Sequence, residues 1–191
     1  PRQETELLVD AVIAWVKKSK IAQPRILDLG TGSGCIAVAL ARVLPHAHIT
    51  ASDLSLSALA RAQETISAFG LTDRITCVQG DLLAPFQDTF FDCIVTNLPY
   101  IGTRIHAVVQ ENVRRFEPST ALFSGHDGLD VYRRFFAELQ RVQFPPQIVF
   151  GEFGDTQKDD LHTLLNPGWR VQFYKDFAGL DRYFSLQFSY D

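Results

Sequence analysis

Apolar residues recur in two different rhythms along this chain of 191 residues. In some stretches they return every three or four positions, which is the period of a helix with one buried face. This period predicts helices near residues 7–16, 36–44, 56–69, 129–139 and 161–165, and a further short helix within 108–116. Elsewhere, short continuous apolar runs predict strands near residues 24–29, 49–53, 75–78, 91–96 and 147–150.

Two later segments, 169–173 and 184–188, show a third pattern in which apolar and polar residues alternate. Each predicts an antiparallel strand at a sheet edge, with one more exposed face. The earlier strands are continuously apolar, as parallel strands covered on both faces are, and they alternate with helices. The sequence therefore predicts an α/β fold with a doubly wound, mostly parallel seven-stranded sheet and antiparallel edge strands. Ligands of such sheets bind beyond the carboxyl ends of the strands, where the strand order reverses.

The composition narrows the class of protein. Eighteen Lys and Arg residues against 22 Asp and Glu residues give a net charge of -4, which disfavours binding to bulk nucleic acid by charge alone. No apolar run approaches the roughly 20 residues that span a bilayer, so we expect no membrane partner.

The cysteines and the absence of methionine add two expectations. Cys35, Cys77 and Cys93 lie apart among apolar neighbours, which favours buried free thiols in a reducing compartment, the cytoplasm or an organelle. The chain contains no Met, and we expect it to be a fragment of a longer protein.

A glycine-rich turn, Asp-Leu-Gly-Thr-Gly-Ser-Gly at 28–34, follows the first predicted strand and precedes a helix. Glycines at alternate positions let the backbone turn sharply and approach a ligand beside the free N–H groups of the helix start. The dinucleotide fingerprint fails because Cys35 stands at its last glycine, and no Gly-Lys-Ser/Thr sequence completes a phosphate loop. The remaining pattern is similar to the first motif of class I S-adenosylmethionine-dependent methyltransferases.

Acidic residues also end the next two predicted strands. Asp53 can accept hydrogen bonds from both hydroxyls of a ribose, or it caps the helix that begins at Ser55. Asp81 can accept from an adenine amino group, with Leu82 against the ring, or it belongs to an ordinary turn. Both interpretations stay open for each aspartate.

The fourth predicted strand runs into Asn97-Leu98-Pro99-Tyr100, which resembles the acceptor motif of amino-methyltransferases. These enzymes act on planar NH2 groups of adenine, cytosine or glutamine, in which the nitrogen lone pair is delocalised. The side-chain carbonyl of Asn97 and the backbone carbonyl of Leu98 can each accept one N–H bond and aim the nitrogen at a methyl donor. Tyr100 can stack on the planar acceptor. The alternative is a strand-end turn built by Asn and Pro.

Together these motifs resemble the HemK/PrmC family, which methylates the glutamine of a Gly-Gly-Gln tripeptide in class 1 peptide release factors. The segments 1–6, 117–122 and 127–133 are particular to that family, whereas the glycine motif and Asn-Pro-Tyr are shared by many methyltransferases. The resemblance covers most of the chain. It implies one Rossmann-like methyltransferase domain over 1–191, with the family's helical, release-factor-docking domain absent upstream.

The resemblance also implies the site residues. Asn97, Pro99 and Tyr100 would be catalytic, and with Leu98 they would bind the glutamine. S-adenosylmethionine, which leaves as S-adenosylhomocysteine, would be bound by Asp28, Gly30, Thr31, Gly32, Gly34, Asp53, Leu54, Asp81, Leu82 and Asn97. The chain departs from the family at Leu98, where a proline is usual. The backbone carbonyl needed there is retained, but acceptor selectivity stays open.

Two other functions are compatible with these motifs. One is methylation of an adenine amino group in RNA or DNA, since Asn-Leu-Pro-Tyr is also similar to the acceptor motif of ribosomal RNA adenine dimethylases. The other is a non-catalytic cofactor-binding module. Acidic residues offset the arginines near the acceptor motif, so no basic stripe forms and a protein partner is favoured; these arginines are Arg104, Arg114, Arg115, Arg133 and Arg134.

The remaining expectations concern partners and weaker candidates. We expect a class 1 peptide release factor as substrate, a monomer, and no metal, because the five His residues show no ligand spacing. Residues Arg2, Glu4 and Thr5 either shape the mouth of the pocket or serve in capping and surface pairs. Glu117 and Pro118 either brace the acceptor loop or end a helix.

Overall fold

A computed structural model describes residues 3–100 and 124–188 of the chain. The helices are α1 (Gln3–Ser19), α2 (Cys35–Val43), α3 (Leu56–Ala68), α4 (Asp130–Leu139) and α5 (Lys158–Thr163), with a 3-10 turn at Ala84–Phe86. The strands are β1 (Arg25–Leu29), β2 (His48–Asp53), β3 (Ile75–Gln79), β4 (Cys93–Thr96), β5 (Ile148–Glu152), β6 (Trp169–Lys175) and β7 (Asp181–Phe188). All predicted elements in these ranges are confirmed. The helix predicted within 108–116 lies outside the described residues.

The seven strands form one sheet in the order β3-β2-β1-β4-β5-β7-β6. The four pairings among the strands from β3 to β5 are parallel, and β7 pairs antiparallel with both β5 and β6. From β1 the chain adds β2 and β3 towards one edge of the sheet, and from β4 it adds β5 towards the other edge. The strand order therefore reverses between β1 and β4. The predicted doubly wound sheet is thereby confirmed.

The two late strands form the antiparallel edge of the sheet, as predicted. Within this edge, β7 lies between β5 and β6, and β6 is the outermost strand. Three consecutive β7 residues, Phe184, Ser185 and Leu186, are buried because both faces of this strand are covered. The opposite edge strand, β3, is only partly buried although its sequence reads as an apolar run.

The core has two layers, one on each face of the sheet. Alternate residues of β1 enter different layers, because successive strand side chains point to opposite faces. Ile26 packs with α1, α2 and α3, whereas Leu27 and Leu29 pack with α4 and the antiparallel strands. Asp28 is two residues after Ile26, so its side chain points to the same face of the sheet. It therefore lies in the first layer, where it is fully buried.

The second layer is dominated by aromatic rings. Phe184 is completely buried, and its ring lies 6.0 to 6.3 Å, centroid to centroid, from the rings of Tyr132, Phe136 and Phe153. These contacts join α4 to the end of β5 and to β7. The aromatic cluster thus fixes the position of the strand end at Glu152 relative to the rest of the sheet.

The cysteines are free thiols, as expected, but only Cys93 is buried, while Cys35 and Cys77 are half-buried. Within the described ranges, no helix is both long and apolar enough to cross a membrane. The described residues also contain no group of three or more His, Cys, Asp or Glu side chains placed to hold a metal ion.

We predict that Phe184→Ala lowers the free energy of unfolding by about 3–5 kcal/mol, because it leaves a cavity among packed rings. Phe177→Ala is the matched control, since Phe177 is 85% exposed and should change stability by less than about 0.5 kcal/mol. Urea denaturation followed by circular dichroism measures both. Equal losses for the two variants would contradict the described core.

Candidate active site

The glycine turn after β1 adopts the backbone that its sequence predicts. Gly30, Gly32 and Gly34 have φ values of 72°, 57° and 80°, in the left-handed region that glycine enters with little strain. The N–H groups of Gly30 and Thr31 both donate to the carbonyl of Ser52, at 2.8 and 2.9 Å, so the turn is tied to the end of β2.

Two of these glycines meet different surroundings. A Cβ built on Gly32 would have no atom of the described residues within 4 Å, so the described part of the chain leaves the turn open on that side. A Cβ on Gly34 would lie 3.2 Å from the Cα of Ala62, so glycine there lets α2 begin close to α3. Both glycines have a positive φ. They differ in that Gly34 packs against α3, whereas a Cβ on Gly32 would meet none of the described residues.

Asp28 is a buried carboxylate directly beneath this turn. Its Oδ2 accepts hydrogen bonds from Thr31 Oγ1 at 2.6 Å and from Ala37 N at 3.1 Å. Its Oδ1 has no partner in the described part of the chain, and the nearby buried hydroxyl of Ser52 is likewise unpaired there. Burial raises the pKa of Asp28 from 3.8 to about 6. An unpaired buried acceptor of this kind is costly unless a ligand or water supplies a donor.

Asp53 lies at the end of β2 and braces the glycine turn. Its Oδ2 accepts from Gly32 N at 2.9 Å, and its Oδ1 accepts from Ser55 N at 2.9 Å. The helix cap itself is Ser55, whose Oγ accepts from Ala58 N at 3.3 Å. Asp53 is therefore not the residue that caps α3, and Leu54 beside it is 63% exposed.

Asp81 and Leu82 are less open to a ligand than the sequence suggests. Asp81 Oδ2 lies 2.6 Å from Arg134 Nη2 on α4, in a pair whose side chains are both about half exposed. Leu82 is buried in the aromatic layer and is one of two described non-glycine residues with positive φ.

The acceptor motif begins one residue after β4, next to the glycine turn. The Thr96 hydroxyl donates to the carbonyl of Leu29 at 2.8 Å, which joins the ends of β4 and β1. Leu98 is buried, and its Cδ2 lies only 3.3 Å from where a Cβ on Gly30 would stand. Thr96 and Leu29 are 67 residues apart in the sequence. The glycine turn and the acceptor motif therefore meet at the point where the strand order reverses.

A buried glutamate at the end of β5, Glu152, organises the polar side chains of the acceptor motif. Asn97 Nδ2 donates to Glu152 Oε2 at 2.9 Å, and the Tyr100 hydroxyl donates to Oε1 at 2.9 Å. Thr5 Oγ1, on α1, donates to Oε2 at 3.0 Å and lies 3.4 Å from Asn97 Nδ2. Glu152 is 1% exposed.

The sequence analysis missed Glu152, because the apolar run that predicted β5 stops at residue 150. A signal was available: acidic residues also stand at or just after the ends of β1, β2 and β3, and the fifth strand repeats that arrangement. Thr5 does not lie on the surface, since the residue is 5% exposed and its hydroxyl donates to Glu152. Arg2 and the side chain of Glu4 lie outside the described residues.

Gln157, just before α5, is a second missed residue. Its Nε2 donates to the carbonyls of Tyr100 and Asp127, both at 2.8 Å, and its Oε1 accepts from Gly154 N at 2.9 Å. This buried amide therefore joins the acceptor motif to the segment before α4. No periodic pattern singles out such a residue, because its role depends on contacts 30 and 57 residues away.

Other predicted residues stand apart from the centre of the site. Arg133 pairs with Asp127 and Asp130, and Arg134 pairs with Asp81. Several further predictions fall outside the described residues: Arg104, Arg114, Arg115, Glu117 and Pro118.

The sheet order, the glycine turn after β1 and the acceptor motif after β4 define a class I, Rossmann-like methyltransferase domain. Comparison with known families agrees, because residues 4–119 match the family described as Methyltransferase small domain.

Individual relatives narrow the family further. The chain is 39% identical over 187 residues to the release factor glutamine methyltransferase of Moorella thermoacetica, covering 96% of this chain and 65% of the relative. It is 36% identical to the enzyme of that name from Thermodesulfovibrio yellowstonii, covering 98% and 67%. A crystal structure of the release-factor-specific protein-(glutamine-N5) methyltransferase from Alicyclobacillus acidocaldarius superposes with a TM-score of 0.58 at 31% identity, covering 97% of this chain and 92% of that one.

The chain belongs to the family of release factor glutamine methyltransferases. This confirms the family that the sequence motifs indicated. The chain spans about two thirds of the length of the first two relatives.

We predict that Asp28→Asn gains stability relative to the unaltered protein as pH rises. The raised pKa means that the protonated Asp28 favours the folded state fully below pH 3.8, and that this contribution is lost as pH rises through about 6. The difference between the variant's and the parent's free energy of unfolding should therefore grow by up to about 3 kcal/mol between pH 4 and pH 7 and stay constant above it. Denaturant titrations across that range measure it. A difference that does not vary with pH would contradict the burial of this charge.

Proposed function

We propose that this chain is the catalytic domain of an S-adenosylmethionine-dependent methyltransferase that modifies the side-chain amide nitrogen of the Gly-Gly-Gln glutamine in a class 1 peptide release factor. The observation that carries the proposal is the orientation of Asn97. Both protons of its amide face Glu152 and Thr5, and Oδ1 accepts no hydrogen bond from the described residues. An acceptor is thereby left for an incoming amide at the crevice between β1 and β4.

The residues around the glycine turn fit the cofactor. Among the described residues, Asp28 offers a buried oxygen without a partner and Gly32 faces open space. The Asp53 carboxylate retains lone pairs beyond its two backbone bonds. Leu54 offers an exposed apolar side chain beside Asp53. When bound, S-adenosylmethionine supplies a methyl group bonded to a sulfonium sulfur, and the carbon of that methyl group is electrophilic enough for a weak nitrogen nucleophile to attack. The remaining members of the predicted cofactor set are Gly30, Thr31, Gly34, Asp81, Leu82 and Asn97.

The chain's own contribution is positioning. The Asn97 side-chain carbonyl and the Leu98 backbone carbonyl would each accept one N–H of the glutamine amide, which fixes the plane of the amide and the direction of its nitrogen. Tyr100 would pack against that plane, with its hydroxyl held by Glu152. Pro99 restricts Leu98 to an extended backbone, which keeps its carbonyl in place. Acceptors arranged in this way favour a tetrahedral nitrogen, so they act on the transition state more than on binding.

The electrostatic balance supports a protein substrate rather than bulk nucleic acid. The net charge is -4, and Arg133 and Arg134, the described members of the group of arginines that follows the acceptor motif, already pair with aspartates. Binding to RNA or DNA would weaken steeply with added salt, because phosphate neutralisation releases counterions. Docking on a release factor would lack that steep dependence, which separates the two substrates.

We predict that Asn97→Ala lowers kcat on a class 1 release factor by about 100-fold to 1000-fold and changes the cofactor Kd by less than about threefold. Label transferred from radioactive S-adenosylmethionine, with peptide mass spectrometry to locate a 14-Da addition on the glutamine, measures turnover. Asn166→Ala is the matched control, because Asn166 is exposed. It precedes β6, which runs parallel to β5, so it lies at the amino ends of the parallel strands, whereas the acceptor motif lies at their carboxyl ends. Failure of the parent protein to label the glutamine, or label on RNA instead, would overturn the proposed function.

We predict that Gly32→Ala and Gly34→Ala separate cofactor binding from folding. Each places a side chain in the left-handed region, at a cost of about 1–2 kcal/mol. Gly34→Ala adds a close contact with Ala62 and should destabilise more. Gly32→Ala should weaken S-adenosylmethionine binding at least tenfold by calorimetry, because its methyl group enters the open side of the turn. Cofactor binding by Gly32→Ala equal to that of the parent would exclude this side of the turn as the cofactor site.

A further inference from the structure

Glu152 is a carboxylate, so its side chain can only accept hydrogen bonds when ionised. Three donors to it among the described residues come from separate parts of the chain: Thr5 on α1, and Asn97 and Tyr100 after β4. Both carboxylate oxygens are engaged, and the residue is 1% exposed. The strand end is further held by the hydroxyl of Tyr132, which donates to the backbone carbonyl of Glu152.

This arrangement determines which way the amide of Asn97 points. An asparagine side chain carries an acceptor and a donor of nearly equal size, so packing alone does not distinguish its two orientations. Rotating the Asn97 amide by 180° would bring Oδ1 to within about 3 Å of a carboxylate oxygen, where two acceptors repel each other. It would also turn the NH2 group outwards, towards a substrate that itself presents N–H donors. Only the orientation with Nδ2 on Glu152 leaves an acceptor for the substrate.

We propose that Glu152 is a positioning residue for methyl transfer: it selects the amide orientation of Asn97, while Thr5 fills the second position on the shared oxygen. Glu152 touches neither substrate nor cofactor in this proposal and acts through Asn97. The inference rests on the proposed function for its kinetic effect, but the orientation of Asn97 can be measured without any substrate.

Two variants grade the effect. Glu152→Gln keeps one carbonyl oxygen, which can still accept from Asn97 if the new NH2 group turns to the Tyr100 hydroxyl. Glu152→Leu keeps no acceptor and leaves Asn97 free to rotate. We expect kcat on the release factor to fall about tenfold for Glu152→Gln and at least 100-fold for Glu152→Leu, with the KM for release factor and the cofactor Kd within about threefold of the parent. Glu64→Gln, an exposed glutamate on α3, is the control and should leave kcat unchanged.

A double-mutant cycle with Asn97→Ala distinguishes positioning from a general structural role. If Glu152 acts through Asn97, then Glu152→Leu should lower kcat by less than about threefold once Asn97 is already alanine. A loss as large in the Asn97→Ala background as in the parent would overturn the inference, since it would mean that Glu152 acts independently of Asn97.

The side-chain amide of Asn97 gives a second, substrate-free readout. Its 15N–1H signals, assigned by their loss in Asn97→Ala, should exchange slowly with water in the parent and shift and exchange faster in Glu152→Leu. Signals that stay unchanged in that variant would overturn the inference even if the parent protein methylates its release factor. If the parent fails to methylate a release factor while these signals respond as expected, the proposed function fails and the positioning of Asn97 by Glu152 stands.

Discussion

The site exists because β1 and β4 lie side by side while the chain leaves them in opposite directions, to β2 on one side and to β5 on the other. Connections that diverge in this way leave a crevice at the carboxyl ends of the two strands. The glycine turn after β1 and the acceptor motif after β4 must then share that crevice. Their contact is direct, since the Thr96 hydroxyl donates to the carbonyl of Leu29 and the Leu98 side chain lies against Gly30.

Two buried carboxylates flank this crevice, and their hydrogen bonding differs. Asp28 has one oxygen that accepts from Thr31 and Ala37 and one oxygen without a partner among the described residues, and its burial raises its pKa. Glu152 has donors on both oxygens. An under-satisfied acid destabilises the domain until a donor arrives, whereas a satisfied acid orders the groups that surround it. The glycine side of the crevice is thus suited to gaining a ligand, and the β4 side to holding a fixed geometry.

Much of this arrangement could be predicted from local sequence. The helical period of apolar residues predicted α1 to α5, and continuous or alternating apolar runs predicted the seven strands. The short motifs placed Asp28, Asp53 and Asn97 at the same end of the sheet. What the sequence did not reveal depends on contacts between distant segments. Glu152 meets Thr5 across 147 residues, and Gln157 meets Tyr100 across 57, so neither partner is visible in any local window. The position of β7 was also hidden, because alternation describes a strand with one exposed face and does not give its neighbours.

The substitution of leucine at position 98, where the family usually has proline, has a physical explanation in this sheet. The Leu98 side chain is 4% exposed and joins the layer that includes Leu27, Leu29 and Ile94, so it contributes buried apolar area. The backbone stiffness that proline would bring is partly kept by Pro99, which disfavours a helical conformation at the residue before it. Because Leu98 packs beneath Gly30, a larger apolar side chain here restricts the glycine turn more than the acceptor side of the crevice. The consequences of this departure should therefore fall on the shape of the turn, while the backbone carbonyl that we propose as an acceptor for the substrate amide is the same group in either sequence.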